Sequence, residues 1–168
     1  QKLGGTPLSV ANVKGLVNTK RFWRFVVLTL FLINLRAIFR HLDATFPTYL
    51  LREHGNNIPK GLIYSINPFM IIFLTPLVTA FATRVPDYDM IRNGSWITGL
   101  SALPLVFSST ILSSCLFVIF LSFGECIWSP ASYHYAMAVA PDGREATFGA
   151  LAAAPLFAAK IPVGLLGG

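Results

Sequence analysis

The chain has 168 residues, of which 54% are hydrophobic and only 12% are charged, whereas an ordinary soluble domain carries about 25% charged residues. This composition argues against a soluble domain and predicts an all-α membrane protein. Because the cations behind the net charge of +6 stand in short connectors beside apolar runs, we expect them to control topology and contact anionic lipid headgroups, not to bind nucleic acid.

Residues 1–21 are polar and predict a cytoplasmic lead-in or linker before the first apolar segment. Five apolar segments follow over residues 22–168, and most are long enough for a bilayer, which needs about 20 apolar residues. Their bounds are about 22–51, 61–83, 91–107, 111–139 and 146–166. We therefore expect five transmembrane helices. Because the chain starts without Met and ends close behind the fifth apolar run, we interpret it as a fragment of a longer chain.

The distribution of Lys and Arg predicts the orientation of the chain in the membrane. If the N-terminus lies inside, the inside segments hold eight of these residues and the outside connectors hold two, Arg52 and Lys60. The eight are Lys2, Lys14, Lys20, Arg21, Arg24, Arg84, Arg92 and Arg144. We therefore expect an integral, multi-pass membrane protein with a cytoplasmic N-terminus. The sequence leaves open which membrane holds it.

Prolines recur inside the apolar segments, with at least one in each span. They are Pro47, Pro68, Pro76, Pro104, Pro130, Pro155 and Pro162. Proline is common in membrane helices as background, but each one also removes a backbone donor and tends to kink its helix. Two interpretations stay open, which are simple background and a set of helices bent around a cavity, as in transporters.

The first apolar segment carries a stripe of ionisable side chains. Arg36, Arg40 and Asp43 follow i, i+4, i+7 spacing and therefore share one helical face. A charge at mid-bilayer costs at least about 2.5–3.5 kcal/mol, so such residues face a bundle interior or a water-filled cavity. Counted from Phe22, Arg36 lies about 21 Å into the span, a little past the midplane. Arg40 and Asp43 lie nearer the outer interface.

Glu125 and Lys160 each lie 14 residues into their own spans, and so reach the same middle third of the bilayer as Arg36. If the three face one another, Glu125 pairs with one cation and the other attracts an anionic group such as a carboxylate. Protonation of Glu125 would free its cation for substrate or for a rearrangement. The alternative is a structural ion pair that locks the helices together. Asn67 and Trp128 are further candidates for lining a cavity.

The segment GECIWSPASYHYAMAVAP, residues 124–141, resembles the tenth helix of proton-coupled oligopeptide transporters, which belong to the major facilitator superfamily. Three further segments resemble transporters of this superfamily: FRHLDATFPTYL, IYSINPFMIIFLTPLV and GREATFGALAAAPLFAAKIPVGLL. The resemblance covers about residues 22–168 and implies helices seven to eleven, the C-terminal half-bundle of that fold. It also implies that Glu125 helps to bind a peptide amino terminus and takes part in proton coupling. The helices carrying Arg36, Asn67 and Lys160 would line the cavity with it.

These observations predict a secondary active transporter of a small solute, a proton-coupled symporter that works by alternating access around a midplane charged site. The missing N-terminal half of the same chain would complete it, and peptides, carboxylates and sugars all remain open as substrates. The sequence has no Gly-rich phosphate loop, metal-ligand cluster or nucleophile motif, so we expect no enzyme activity, cofactor or metal. The alternative is a structural or accessory membrane subunit, derived from a half-transporter, whose buried charges are fixed ion pairs.

Overall fold

A computed structural model of the chain describes residues 20–140 and 145–166, so most of the expected lead-in at 1–21 lies outside the described residues. All regular structure in these two ranges is helical, which confirms the all-α expectation. The helices are α1 (Lys20–Ala44), α2 (Phe46–His54), α3 (Lys60–Phe81), α4 (Asp87–Leu100), α5 (Leu103–Phe107), α6 (Ile111–Val139), α7 (Glu145–Ala158) and α8 (Lys160–Leu166), with a 3₁₀ turn at Ala82–Arg84.

Three helical stretches among the described residues are long and apolar enough to cross a membrane: Phe22–Ala44, Lys60–Arg84 and Ile111–Val139. Their length and composition indicate a membrane protein. They correspond to the first, second and fourth expected spans. The third expected span is divided between α4 and α5, and the fifth between α7 and α8, so neither is one continuous helix of membrane length.

Prolines explain where the expected spans are interrupted. A proline has no N–H for the carbonyl four residues before it. Pro104 therefore withdraws the usual donor from the Leu100 carbonyl, and α4 ends at Leu100. Pro162 withdraws the donor from the Ala158 carbonyl in the same way, and α7 ends at Ala158. Pro47 stands just past the end of α1, at the start of α2. These prolines end helices, which goes beyond the kinks that their spacing predicts.

The central helix is α6, which packs against α3, α4, α5 and α7. Half of its most apolar stretch is buried, whereas for α3 and its 3₁₀ turn the buried share is 6%. The helix α1 packs mainly on α7 and α8 and makes a lighter contact with α6. The helices α1 and α3 do not pack closely on each other, but polar side chains of both contact α6.

A close helix crossing joins α4 to α6 at Gly94 and Gly124. A Cβ atom on Gly94 would lie 2.8 Å from the backbone N of Trp128 and 2.9 Å from the carbonyl O of Gly124. A Cβ atom on Gly124 would lie 2.8 Å from the carbonyl O of Gly94 and would overlap Thr98 Oγ1. Small residues allow this kind of backbone approach at membrane helix interfaces. The two helices are therefore held at a fixed separation and rotation.

Candidate functional site

The centre of the candidate site is an ion pair between α1 and α6. Arg36 Nη1 lies 3.4 Å from Glu125 Oε1, and Arg36 Nη2 donates a hydrogen bond of 3.2 Å to Ser129 Oγ. Because Ser129 follows Glu125 by one helical turn, both acceptors stand on one face of α6. The side chains of Arg36 and Glu125 are 11% and 15% exposed. An unpaired charge at this depth is costly, so each of the two charges stabilises the other.

Asn67 brings a third helix, α3, to the same carboxylate. Its Nδ2 donates hydrogen bonds of 3.2 Å to Glu125 Oε2 and 3.0 Å to Ser122 Oγ. Ser122 in turn donates to the Val118 carbonyl of its own helix over 2.6 Å, which orients its hydroxyl oxygen. Glu125 is thus held at both oxygens, by a guanidinium from α1 on one side and by an amide from α3 on the other.

Trp128 forms the apolar wall beside the ion pair. Its side chain is fully buried, and the Cζ atom of Arg36 lies 4.7 Å from the centre of its ring. A guanidinium over an indole face is attracted by the ring quadrupole. The indole Nε1 donates a hydrogen bond of 3.1 Å to Thr98 Oγ1 on α4, which is also fully buried. The ring is therefore fixed at its edge by α4 while its face contacts Arg36.

The C-terminal end of the stripe on α1 forms a second polar cluster. Arg40 Nη1 lies 3.3 Å from Asp43 Oδ2, and the hydroxyl of Tyr64 on α3 donates a hydrogen bond of 2.6 Å to Asp43 Oδ1. These groups are more exposed than the central pair, at 26% for Arg40 and 43% for Asp43. The contact between Asp43 and Tyr64 connects α1 to α3 directly, about two helical turns beyond Arg36 along α1.

Lys160 is not brought to this site. Its Nζ lies 5.2 Å from the ring centre of Phe157, the residue is exposed, and the described contacts include no ion pair between it and Glu125. The expected depth of Lys160 assumed one continuous helix from residue 146 onward. The helix instead ends at Ala158, and Lys160 is the first residue of α8. The structure therefore gathers Arg36, Asn67, Glu125 and Trp128 and leaves Lys160 apart.

Three further polar residues belong to the site and were not predicted as its members: Thr98, Ser122 and Ser129. The signal for Ser122 and Ser129 is present in the sequence, because they stand three residues before and four residues after Glu125 and so share its face of α6. Thr98 gives no such signal, since its role depends on how closely α4 approaches α6.

The ion pair joins two helices that are otherwise in light contact. The apolar contact between α1 and α6 at this level is a small cluster of Leu32 and Leu35 with Trp128. Glu125 has a carboxyl group that can gain and lose a proton. A proton on Glu125 would remove the ionic part of the contact, so the arrangement can couple a protonation step to the separation of α1 from α6.

We find no match to this chain among protein-family models, curated proteins or solved structures.

Proposed function

We propose that this chain is the C-terminal half of a proton-coupled secondary transporter with the architecture of the major facilitator superfamily. Its five spans would correspond to helices seven to eleven, with a cytoplasmic N-terminus, and the N-terminal half of the same chain would complete the cavity. The observation that carries the proposal is the ion pair of Arg36 with Glu125, which lies between two helices of membrane length. Charges at such depth are typical of substrate and proton pathways.

In the proposed cycle Glu125 is the group that binds and releases the proton. While Glu125 is ionised it holds Arg36, and α1 stays against α6. Protonation weakens this contact, so α1 can shift relative to α6 and the cavity can open to the other side of the membrane. Asn67 accompanies the change from α3, because it is bonded to the second oxygen of Glu125. Until α1 shifts, the ring of Trp128 holds the guanidinium of Arg36 against α6.

A structural or accessory membrane subunit is the second candidate. The hydrogen bonding of the site favours it, because both oxygens of Glu125 and both terminal nitrogens of Arg36 already have partners within the chain. A fully satisfied polar network is also what rigidifies a static core. In this case no solute would be transported, and replacing Arg36 and Glu125 together with Leu would leave the folded assembly intact.

The test is uptake by the full-length protein in proteoliposomes that contain a pH-sensitive dye. Peptides, carboxylates and sugars are offered one class at a time under an inward proton gradient. We expect one class to be taken up together with protons, and Glu125→Gln to abolish the proton flux. Glu53→Gln is the matched control, because Glu53 is an exposed acid on α2, and it should leave uptake unchanged. Proton-driven uptake that persists in Glu125→Gln would refute the coupling role, and the absence of uptake for every class would favour the structural subunit.

A further inference from the structure

The carboxylate of Glu125 is held by two hydrogen-bond donors that could hold any other carboxylate in the same way. Its Oε1 faces Arg36 Nη1 at 3.4 Å, and its Oε2 accepts from Asn67 Nδ2 at 3.2 Å. The two donors come from different helices and approach the two oxygens separately. A guanidinium and an amide arranged in this way form a clamp for a planar anion with two oxygens, which is the geometry of a carboxylate.

The donors of this clamp are held in place independently of Glu125. Arg36 also bonds Ser129 Oγ at 3.2 Å and lies over the buried ring of Trp128 at 4.7 Å. Asn67 also bonds Ser122 Oγ at 3.0 Å. If Glu125 is neutral and turns away, the guanidinium and the amide stay where they are. They then form an unoccupied, positively charged site in a poorly solvated place, where an anion of matching shape gains most.

The next charged groups along α1 form a pair of their own, because Asp43 is bonded to Arg40 and accepts from Tyr64 of α3. Among the described residues, the charges that act on Glu125 are Arg36 and, further along α1, Asp43. Its titratable neighbour on α6 is Cys126, and the groups that face the site from α3 and α4 are neutral, Asn67 and Thr98. The central pair therefore sums to zero charge when Glu125 is ionised. It sums to zero again when Glu125 is protonated and one monoanion is bound.

We propose that the transported solute is a small monocarboxylate, which takes over from Glu125 its bonds to Arg36 and Asn67 when Glu125 is protonated. One proton is then bound for each anion, and the loaded and empty sites carry the same net charge. This stoichiometry avoids an uncompensated charge inside the membrane. The inference rests on the proposed transport function and specifies its substrate class. Peptide amines and neutral sugars are not the groups that this clamp fits.

Binding is measured directly through Trp128. This chain has three Trp residues, and Trp23 and Trp96 are 55% and 67% exposed. A variant of the full-length protein in which Trp23, Trp96 and every Trp of the N-terminal half are replaced by Phe reports from Trp128 alone. Propionate is the probe, and its neutral isostere propionamide is the control. We expect propionate to change Trp128 emission in a saturable manner. In the pH range where Glu125 is ionised in the empty site, the affinity for propionate should rise about tenfold for each unit by which the pH is lowered. This slope is the one expected when one proton binds with each propionate. Propionamide should have no saturable effect.

Substitutions of Glu125 and Arg36 test separately which residue links binding to pH and which residue binds the anion. Glu125→Gln should bind propionate with an affinity that no longer depends on pH. Arg36→Gln should not bind it, and Arg36→Lys should bind at least tenfold more weakly, because Lys cannot offer the same two-pronged donor. Arg36→Lys also keeps the test valid if Arg36→Gln does not fold. Arg52→Gln, which changes an exposed Arg on α2, should bind as the parent does.

The outcomes separate this inference from the transport proposal. Equal effects of propionate and propionamide, or propionate binding that survives in Arg36→Gln, would overturn the inference. Proton-driven uptake of a neutral solute that needs Glu125, without propionate binding, would overturn the substrate class and leave the transport function standing. Propionate binding with one-proton linkage but without uptake into proteoliposomes would support the carboxylate site and refute transport. Where uptake occurs, its rate should not depend on membrane potential, since each cycle moves no net charge.

Discussion

Replacing Thr98 with Val tests whether the bond from α4 fixes the wall of the site. Trp128 Nε1 donates to Thr98 Oγ1 over 3.1 Å, and both side chains are fully buried. Val has nearly the shape of Thr but no acceptor, so the indole N–H would lose its partner without a cavity being formed. An unpaired buried donor costs about 1–3 kcal/mol, and polar pairs between membrane helices average about 0.6 kcal/mol. We therefore expect Thr98→Val to lower the free energy of unfolding by about 1 kcal/mol.

The assay is reversible unfolding in mixed micelles, followed by the helical signal in circular dichroism. Thr98→Ser retains the hydroxyl and should keep the hydrogen bond, so it separates loss of the acceptor from loss of a methyl group. Trp128→Phe completes a double-mutant cycle. The W128F variant has no indole N–H that needs an acceptor, so adding Thr98→Val should lower the free energy of unfolding only slightly. If Thr98→Val destabilises the protein equally with and without the indole, the hydrogen bond between Trp128 and Thr98 is not the cause of the destabilisation.

Two further substitutions test the packing and the ion pair. Gly124→Ala should destabilise the protein by about 1–3 kcal/mol, because its Cβ would overlap α4. Gly99→Ala is the control, because its Cβ would meet nothing within 4 Å, and it should change the unfolding free energy by less than about 0.5 kcal/mol. Equal effects of the two substitutions would contradict the close crossing of α4 and α6. Glu125→Leu should lower the free energy of unfolding by up to about 3–5 kcal/mol, because it leaves the charge of Arg36 without its partner. Adding Arg36→Leu should recover most of that loss in the same unfolding assay, and a double variant as unstable as the single one would contradict the pairing.

The sequence predicts best those features that depend on one helix at a time. The helix α6 begins at Ile111 and ends at Val139, as its apolar run indicates. The meeting of Arg36 with Glu125 also has a basis in the sequence, because the two lie at similar depths on helices that are both long and apolar. The neighbours of Glu125 at 122 and 129 follow from helical spacing alone.

Features that depend on the relation between helices were not predictable in this way. Lys160 was placed at mid-bilayer by counting along a continuous helix, and the break after Ala158 invalidates that count. Thr98 contributes through the rotation and close approach of α4 on α6, which a single sequence does not specify. The role of Thr98 is set by packing between elements, and a periodic pattern within one element contains no information about it. The break before Lys160 is a local effect of Pro162, which could equally have kinked a continuous helix.

The prolines that divide the expected spans also have a consequence for hydration. Pro104 and Pro162 leave the carbonyl oxygens of Leu100 and Ala158 without their usual helical donors. In hydrocarbon such an oxygen is strongly unfavourable, so irregular backbone persists at that depth only where water or another polypeptide segment reaches it. If the third and fifth expected spans cross the bilayer as proposed, a solvated crevice or a neighbouring helix that donates to these carbonyls must reach the ends of α4 and α7.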